Sequence, residues 1–181
     1  MESLMIKASI RRVILVPLMM HGTTAAMADP DHDEWPGLGQ VGDVSHIDQV
    51  IEVDMGEMYF CPDNFAFERG ETVKFVLVNS GRMVHEFAIG TEETQNVHEQ
   101  EMNVMLREGM MTTRVLRHDR MLASGMMHVD ENARLLAPDE TAELIWTFSG
   151  EQDELIIVCN VPGHRAAGME GVVTIGADHP S

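Results

Sequence analysis

Apolar residues in this chain fall mostly in short alternating or clustered runs broken by turn residues, a pattern that predicts strands. Val50 to Val53 and Met58 to Phe60 read as two short strands, and Phe65 to Glu68 as a third, after which Gly70 turns the chain. Thr72 to Asn79 is the strongest signal: it is rich in β-branched and aromatic residues and is closed by Ser80-Gly81. Val84 to Ile89 reads as the next strand, stopped by Gly90. Ala142 to Phe148, Glu154 to Cys159 and Gly171 to Ile175 complete the set. About seven short strands with turns between them predict an all-β fold, a β-sandwich or barrel.

Residues 91–127 break this pattern. Thr91-Glu92-Glu93 predicts a capped helix running to about Glu108, with Gly109 ending it. Met102, Met105, Leu106 and Met110 share one helical face at i, i+3, i+4 and i+8. The segment reads as a Met-rich, partly helical insertion joining two halves of the sandwich. Residues 29–48 are polar, with several Asp, Gly and Pro, and read as a flexible leader before a domain spanning residues 49–178. Residues 1–28 have the layout of a secretory signal: Lys7, Arg11 and Arg12, then apolar Val13 to Met20, then Ala26-Met27-Ala28 as a small-x-small cleavage site. Arg11-Arg12 followed by Val13-Ile14-Leu15 is a partial match to a twin-arginine signal. The expected destination is an oxidising space outside the cytoplasm, most simply a bacterial periplasm.

Composition narrows the chemistry. A chain of 181 residues makes one ordinary domain with some decoration. Its 12 Lys plus Arg against 30 Asp plus Glu give a net charge of −18, which repels phosphate backbones and argues against nucleic-acid binding. The acidic residues are scattered and serve solvation; their summed field attracts cations and basic partners. Two cysteines make neither a disulfide scaffold nor a four-thiolate zinc site. No apolar run reaches the ~18 residues of a membrane-spanning helix. The 16 Met and 9 His supply soft sulfur and imidazole, the donors that copper favours.

The most informative segment is Cys159-Asn160-Val161-Pro162-Gly163-His164-Arg165-Ala166-Ala167-Gly168-Met169. It places a thiol, an imidazole and a thioether on one loop between two predicted strands, and His85 lies at a distant strand end. Two His, one Cys and a weak axial Met make a blue copper site. Donors on one short loop close a small ring at little entropic cost, and a fourth from a remote strand ties that loop to the sheet. Singly, Cys159, His85 and Met169 read as core residues; together, at strand ends, they read as ligands. Zinc is the weaker fit, since a thioether is a poor zinc ligand.

These residues resemble the cupredoxins, the plastocyanin and azurin family of small blue copper proteins. Cys159-x4-His164-x4-Met169 with Pro162-Gly163 is similar to the family's longer ligand loops, rusticyanin's in particular. Asn79 through Phe87 resembles its first-histidine segment, and Pro138 through Phe148 and Gly168-Met169-Glu170-Gly171 fit its phrasing. The likeness covers roughly residues 50–90 and 128–176, and is nearest to periplasmic cupredoxin-like proteins of copper tolerance. It implies a Greek-key sandwich and one type 1 copper, with His85, Cys159 and His164 equatorial and Met169 axial. It also implies hydrogen bonds to the Cys159 sulfur from Asn160 and the neighbouring backbone. Asn79 would tie the His85 segment to the ligand loop. His164 would be the ligand nearest solvent, edged by Val161, Pro162, Ala166 and Ala167, where a redox protein or copper-handling partner docks briefly.

Residues 102–127 hold seven Met, with His98, His118 and His128 nearby. They are either a helix face filling gaps in the core or a second Cu(I) site. Met121, Met126, Met127 and His128, which lack helical periodicity, are its candidate donors. Cys61 reads as a free thiol at a strand end, with a role near the metal as the alternative; a disulfide to Cys159 would abolish the site. His32, His46 and His179 read as solvated surface. The expected function is a periplasmic copper protein that transfers single electrons or confers tolerance by binding or oxidising copper. The alternative is a copper chaperone or sequestering protein that uses the second Met/His site without a respiratory role. Enzymatic turnover is not expected beyond weak oxidation of cuprous ion. A multicopper oxidase would need further His pairs, and no His-x-His occurs.

Overall fold

The computed structural model describes residues 37–125 and 130–176. Two five-stranded sheets face each other. One runs in the order β1 (Gln40–Val41), β8 (Thr141–Thr147), β5 (Thr72–Asn79), β2 (Gln49–Gly56), β3 (Tyr59–Cys61). The other runs β4 (Asn64–Glu68), β10 (Glu170–Gly176), β9 (Glu154–Val158), β6 (His85–Gly90), β7 (Ala133–Leu136). Most pairings are antiparallel; β2 with β5 and β4 with β10 are parallel. This is the all-β sandwich that the apolar pattern predicts, with helices α1 (Glu92–Arg107) and α2 (His118–Ser124) inserted between β6 and β7.

The strands follow from side-chain alternation. In β5, Val73, Phe75, Leu77 and Asn79 point inward and are buried, whereas Lys74 turns outward to an ion pair with Glu143 on β8. Facing residues from both sheets bring all six Phe of the chain into one core. Phe75 lies at its centre, within 5.1 to 6.4 Å, centroid to centroid, of Phe65, Phe67, Phe87 and Phe148. Strand β6 is different: all six of its residues are buried, because β9 and β7 flank it and α1 packs on it.

Helix α1 begins at the expected cap. The Thr91 side chain accepts from the Thr94 N–H, and the Thr94 hydroxyl accepts from the Thr91 N–H. Three elements lie outside the sequence expectations. Strand β7 and helix α2 are short and depend on packing. Strand β1 falls in the stretch expected to be flexible leader: Gln40 and Val41 pair with Thr147 and Trp146, and the Trp146 indole donates to the Leu38 carbonyl. Residues 38–42 are therefore part of the sandwich. The expected signal (1–28) lies outside the described residues, as do residues 29–36 of the expected leader. Among the described residues, no helix is long and apolar enough to cross a membrane.

Candidate metal centre

One end of the sandwich gathers three of the four expected donors. His85 opens β6, Cys159 follows the last residue of β9, and His164 lies in the loop from β9 to β10. One ligand atom from each comes within 4.8 Å of the others, and all three residues are buried. Cys159 Sγ is 3.3 Å from His164 Nδ1 and 4.0 Å from His85 Nδ1. The two imidazole rings are tilted by 53° with centroids 5.0 Å apart.

The loop is built to hold this shape. The His164 N–H donates to the Val161 carbonyl, and one 3₁₀ turn, Arg165–Ala167, follows. Gly163 and Gly168 sit at φ +90° and +97°, left-handed values that a side chain would strain. Past Gly168 the Met169 N–H reaches the His164 carbonyl, and the Met169 carbonyl accepts from the Cys159 N–H. The backbone of Met169 is thereby bonded to both loop ligands, and its side chain is fully buried. His164 is the most exposed of the four, at 4% against 0% for the others.

Two expected roles are corrected. The Asn160 side chain gives no hydrogen bond to the sulfur; backbone N–H groups donate there, that of Glu86 at 3.3 Å from Sγ and, as expected of the neighbouring backbone, that of Val161. The Asn160 amide instead donates to Glu86 Oε2 at 2.9 Å and Gln95 Oε1 at 2.7 Å. Asn79 does not tie His85 to the ligand loop. Its amide spans the Met83 and Leu136 carbonyls, and its oxygen accepts the Gly81 N–H, which fixes the turn into β6 against β7. Both errors have one source: the strand that lies across from each Asn is set by the fold, not by sequence spacing.

Sequence reasoning also passed over Glu86. It is buried, and its carboxylate accepts from the Asn160 backbone, the Asn160 amide and His98 of α1. A signal was present: Glu86, beside His85, places a charge in a run that is apolar from Phe87 to Ile89 and shows no alternation, where a charge demands a buried partner.

The electrostatics favour a cation. Burial pushes the Cys159 thiol up to about 12, although the Glu86 and Val161 N–H groups oppose that. Burial, with the charge of His164, lowers His85 to about 4; burial also lowers His164. The metal-free protein near neutral pH thus holds two neutral imidazoles with free lone pairs around a protonated thiol. His85 Nε2 has no partner, and its Nδ1 has only the sulfur. Buried nitrogen and sulfur donors in this set fit copper, which takes imidazole and thiolate together.

The proposed second site finds a different setting. Met102, Met105, Met110, Met111 and Met121 are buried in the core, Met121 as part of α2. Met126, Met127 and His128 lie outside the described residues. Cys61 is exposed at the end of β3, and both cysteines are free.

Residues 47–176 match the family model for copper binding proteins of the plastocyanin/azurin family. The chain is 35% identical over 179 residues to the copper-resistant cuproprotein CopI of Pseudomonas aeruginosa, covering 91% of this chain and 97% of that one. It is 33% identical over 156 residues to the protein of the same name from Rubrivivax gelatinosus, covering 86% of this chain and 82% of that one. Among solved structures, reduced auracyanin from Roseiflexus castenholzii superposes with a TM-score of 0.52 at 19% identity, over 71% of this chain and 96% of that one. Auracyanin B gives 0.53 at 16% identity, over 78% of this chain and 96% of its own. These structural likenesses bear on the fold.

Proposed function

This chain belongs to the plastocyanin/azurin family of copper-binding proteins, and on that premise we propose that it carries one type 1 copper and serves copper tolerance in the periplasm. The observation that carries the reading is the convergence of His85, Cys159 and His164, from separate elements, into one buried cluster. These three would hold the ion. Met169, buried at the end of the same loop, would supply a fourth donor. Copper bound there supplies a one-electron cycle between Cu(I) and Cu(II).

The chain's own residues do the rest. The Glu86 N–H donates to the sulfur and stabilises its negative charge. The sheets hold His85 in place while the loop, closed through Met169, holds Cys159 and His164, so little reorganises when an electron moves. His164, nearest solvent and beside exposed Ala166 and Ala167, would be the ligand through which a held copper exchanges an electron with a partner. The partner that fits is a redox or copper-handling protein that docks briefly. Tolerance is favoured over a purely respiratory role because the relatives at 33–35% identity are copper-resistant cuproproteins.

The test is copper loading of the reduced, metal-free protein. An intense visible thiolate-to-copper band is expected, together with release of the Cys159 proton, because coordination deprotonates a thiol outright. No band with Cys159 reduced refutes the centre. Deleting the gene is expected to raise copper sensitivity without slowing respiration; the reverse pattern refutes the tolerance role.

A further inference from the structure

Helix α1 does more than cover the sandwich. Gln95 and His98, one turn apart, face the residues that follow two of the ligands. Gln95 Oε1 accepts from the Asn160 amide at 2.7 Å, and Gln95 Nε2 donates to the Ala88 carbonyl at 2.9 Å. His98 Nε2 lies 2.9 Å from Glu86 Oε1, and His98 Nδ1 lies 3.2 Å from Glu101 Oε2. Asp130 Oδ2 stands 4.0 Å from the same Nε2. From the other side, Arg165 of the ligand loop reaches Asn96 and Glu92 at the start of α1.

Glu86 is the hinge of this network. Its backbone N–H points at the Cys159 sulfur and its carboxylate grips both N–H groups of Asn160. A buried carboxylate needs a compensating charge, and among the described residues the cation at hydrogen-bond distance from Glu86 is His98.

We propose that His98 is a positioning residue for the copper centre: it neutralises and orients the Glu86 carboxylate, so that the pair sets the reduction potential of the metal. The inference rests on the copper reading given above. Its physical content is a charge balance. An unopposed negative charge one residue from His85 favours Cu(II) over Cu(I), and loss of that charge favours Cu(I). The high proton affinity of His98 agrees with a fixed cation. Burial lowers it, but the charge and hydrogen bond of Glu86, with Asp130 and Glu101, raise it to about 10 overall.

The experiment is a redox titration of the copper-loaded full chain as wild type, His98→Gln, Glu86→Gln and the double variant. Gln at either position keeps a hydrogen-bonding group and removes the charge. His98→Gln is expected to lower the Cu(I)/Cu(II) ratio at fixed poise about tenfold, a shift of about 59 mV for one electron. Glu86→Gln is expected to raise the ratio by a similar factor, and the double variant to return toward wild type. The thiolate-to-copper band separates the two failures. A wild type without the band overturns the copper reading and this inference with it. A normal band, with both single variants within twofold of the wild-type ratio, overturns this inference alone. A metal-free readout stands beside it: nitrogen NMR of the apo protein at about pH 8, above the ordinary His range, should find His98 doubly protonated. A singly protonated His98 overturns the charge balance. Should Glu86→Gln fail to fold, His98→Gln, at a partly exposed position of α1, still decides.

Discussion

Replacing His98 by Gln should remove a pH-dependent part of the stability of the metal-free protein, and the sign is fixed by the structure. In the folded state the imidazole sits between Glu86, Glu101 and Asp130 and holds its proton up to about 10, against an ordinary 6.5. A proton bound more tightly by the folded chain stabilises it. That stabilisation is fully present below about pH 6.5 and is lost as pH rises through about 10. At about 1.36 kcal/mol per pH unit the ceiling is about 5 kcal/mol. About a fifth of the His98 side chain is open to water, so screening lowers the expected figure to about 2–3 kcal/mol.

The assay is urea unfolding of the metal-free wild type and His98→Gln at steps from about pH 6 to about pH 10.5. Other groups shape each curve. Cys159, pushed up to about 12 by burial, makes both proteins less stable as pH rises above its ordinary 9. His85, lowered to about 4 by burial and by His164, makes both less stable as pH falls below 6.5. These terms cancel in the difference between the two proteins. That difference should be largest near pH 6.5 and shrink toward zero near pH 10. A difference that stays flat across the range would refute the ion pair as the source of stability.

Cys159→Ser should abolish the visible band on copper loading while leaving the fold intact, as judged by far-UV circular dichroism; a surviving band would remove Cys159 from the ligand set. Gly81→Ala would place a methyl 2.9 Å from Glu57 Oε1 and 3.0 Å from His85 Nε2. Glu57 has a flexible end to yield, but the His85 ring is buried, so copper affinity by competitive titration should fall by about 1–3 kcal/mol. Unchanged affinity would show that the ring has room to shift. Phe75→Ala, at the centre of four aromatic contacts, should cost about 3–5 kcal/mol in urea unfolding. Met121→Leu keeps the volume of a buried core side chain, so it should change stability by less than ~1.5 kcal/mol; a fall in copper stoichiometry would show that Met121 is a ligand.

Much of the fold is legible because its signals are local. The bounds of β5 coincide with the run from Thr72 to Asn79, and α1 starts after the Thr91 cap. What was missed is what only tertiary contacts define. Strand β7 is four residues, Ala-Arg-Leu-Leu, with no β-branched side chain; it is extended because it pairs with β6. Helix α2 is seven residues and is held by one buried Met. Strand β1 is two residues between glycines, placed by β8. The same division runs through the site. Cys159, His164 and Met169 lie within eleven residues, so their grouping can be read directly. The partners of Asn79, Glu86, Asn160 and His98 are 12 to 74 residues away in the chain, apart from local bonds in the turn after Asn79 and from His98 to Glu101 within α1.

The distribution of buried polarity locates the centre without any motif. The middle of the sandwich is phenylalanine and aliphatic side chains. Of the buried polar residues, Asn79, His85, Glu86, Asn160 and His164 lie on β6, on its approach, or on the ligand loop, and Thr94 and Gln95 lie on the helix that packs against β6; Thr72 stands apart at the start of β5. Burying such groups destabilises a fold unless each is partnered, and apolar replacements of like volume are often more stable. A fold selected for stability alone would have spread apolar residues through both ends equally. Concentrating carboxylate, imidazole and amide at one end makes sense only where a charge must be received and balanced. The insertion belongs to that end as well: by supplying Gln95 and His98 it partners the acid that the ligand strand has to bury.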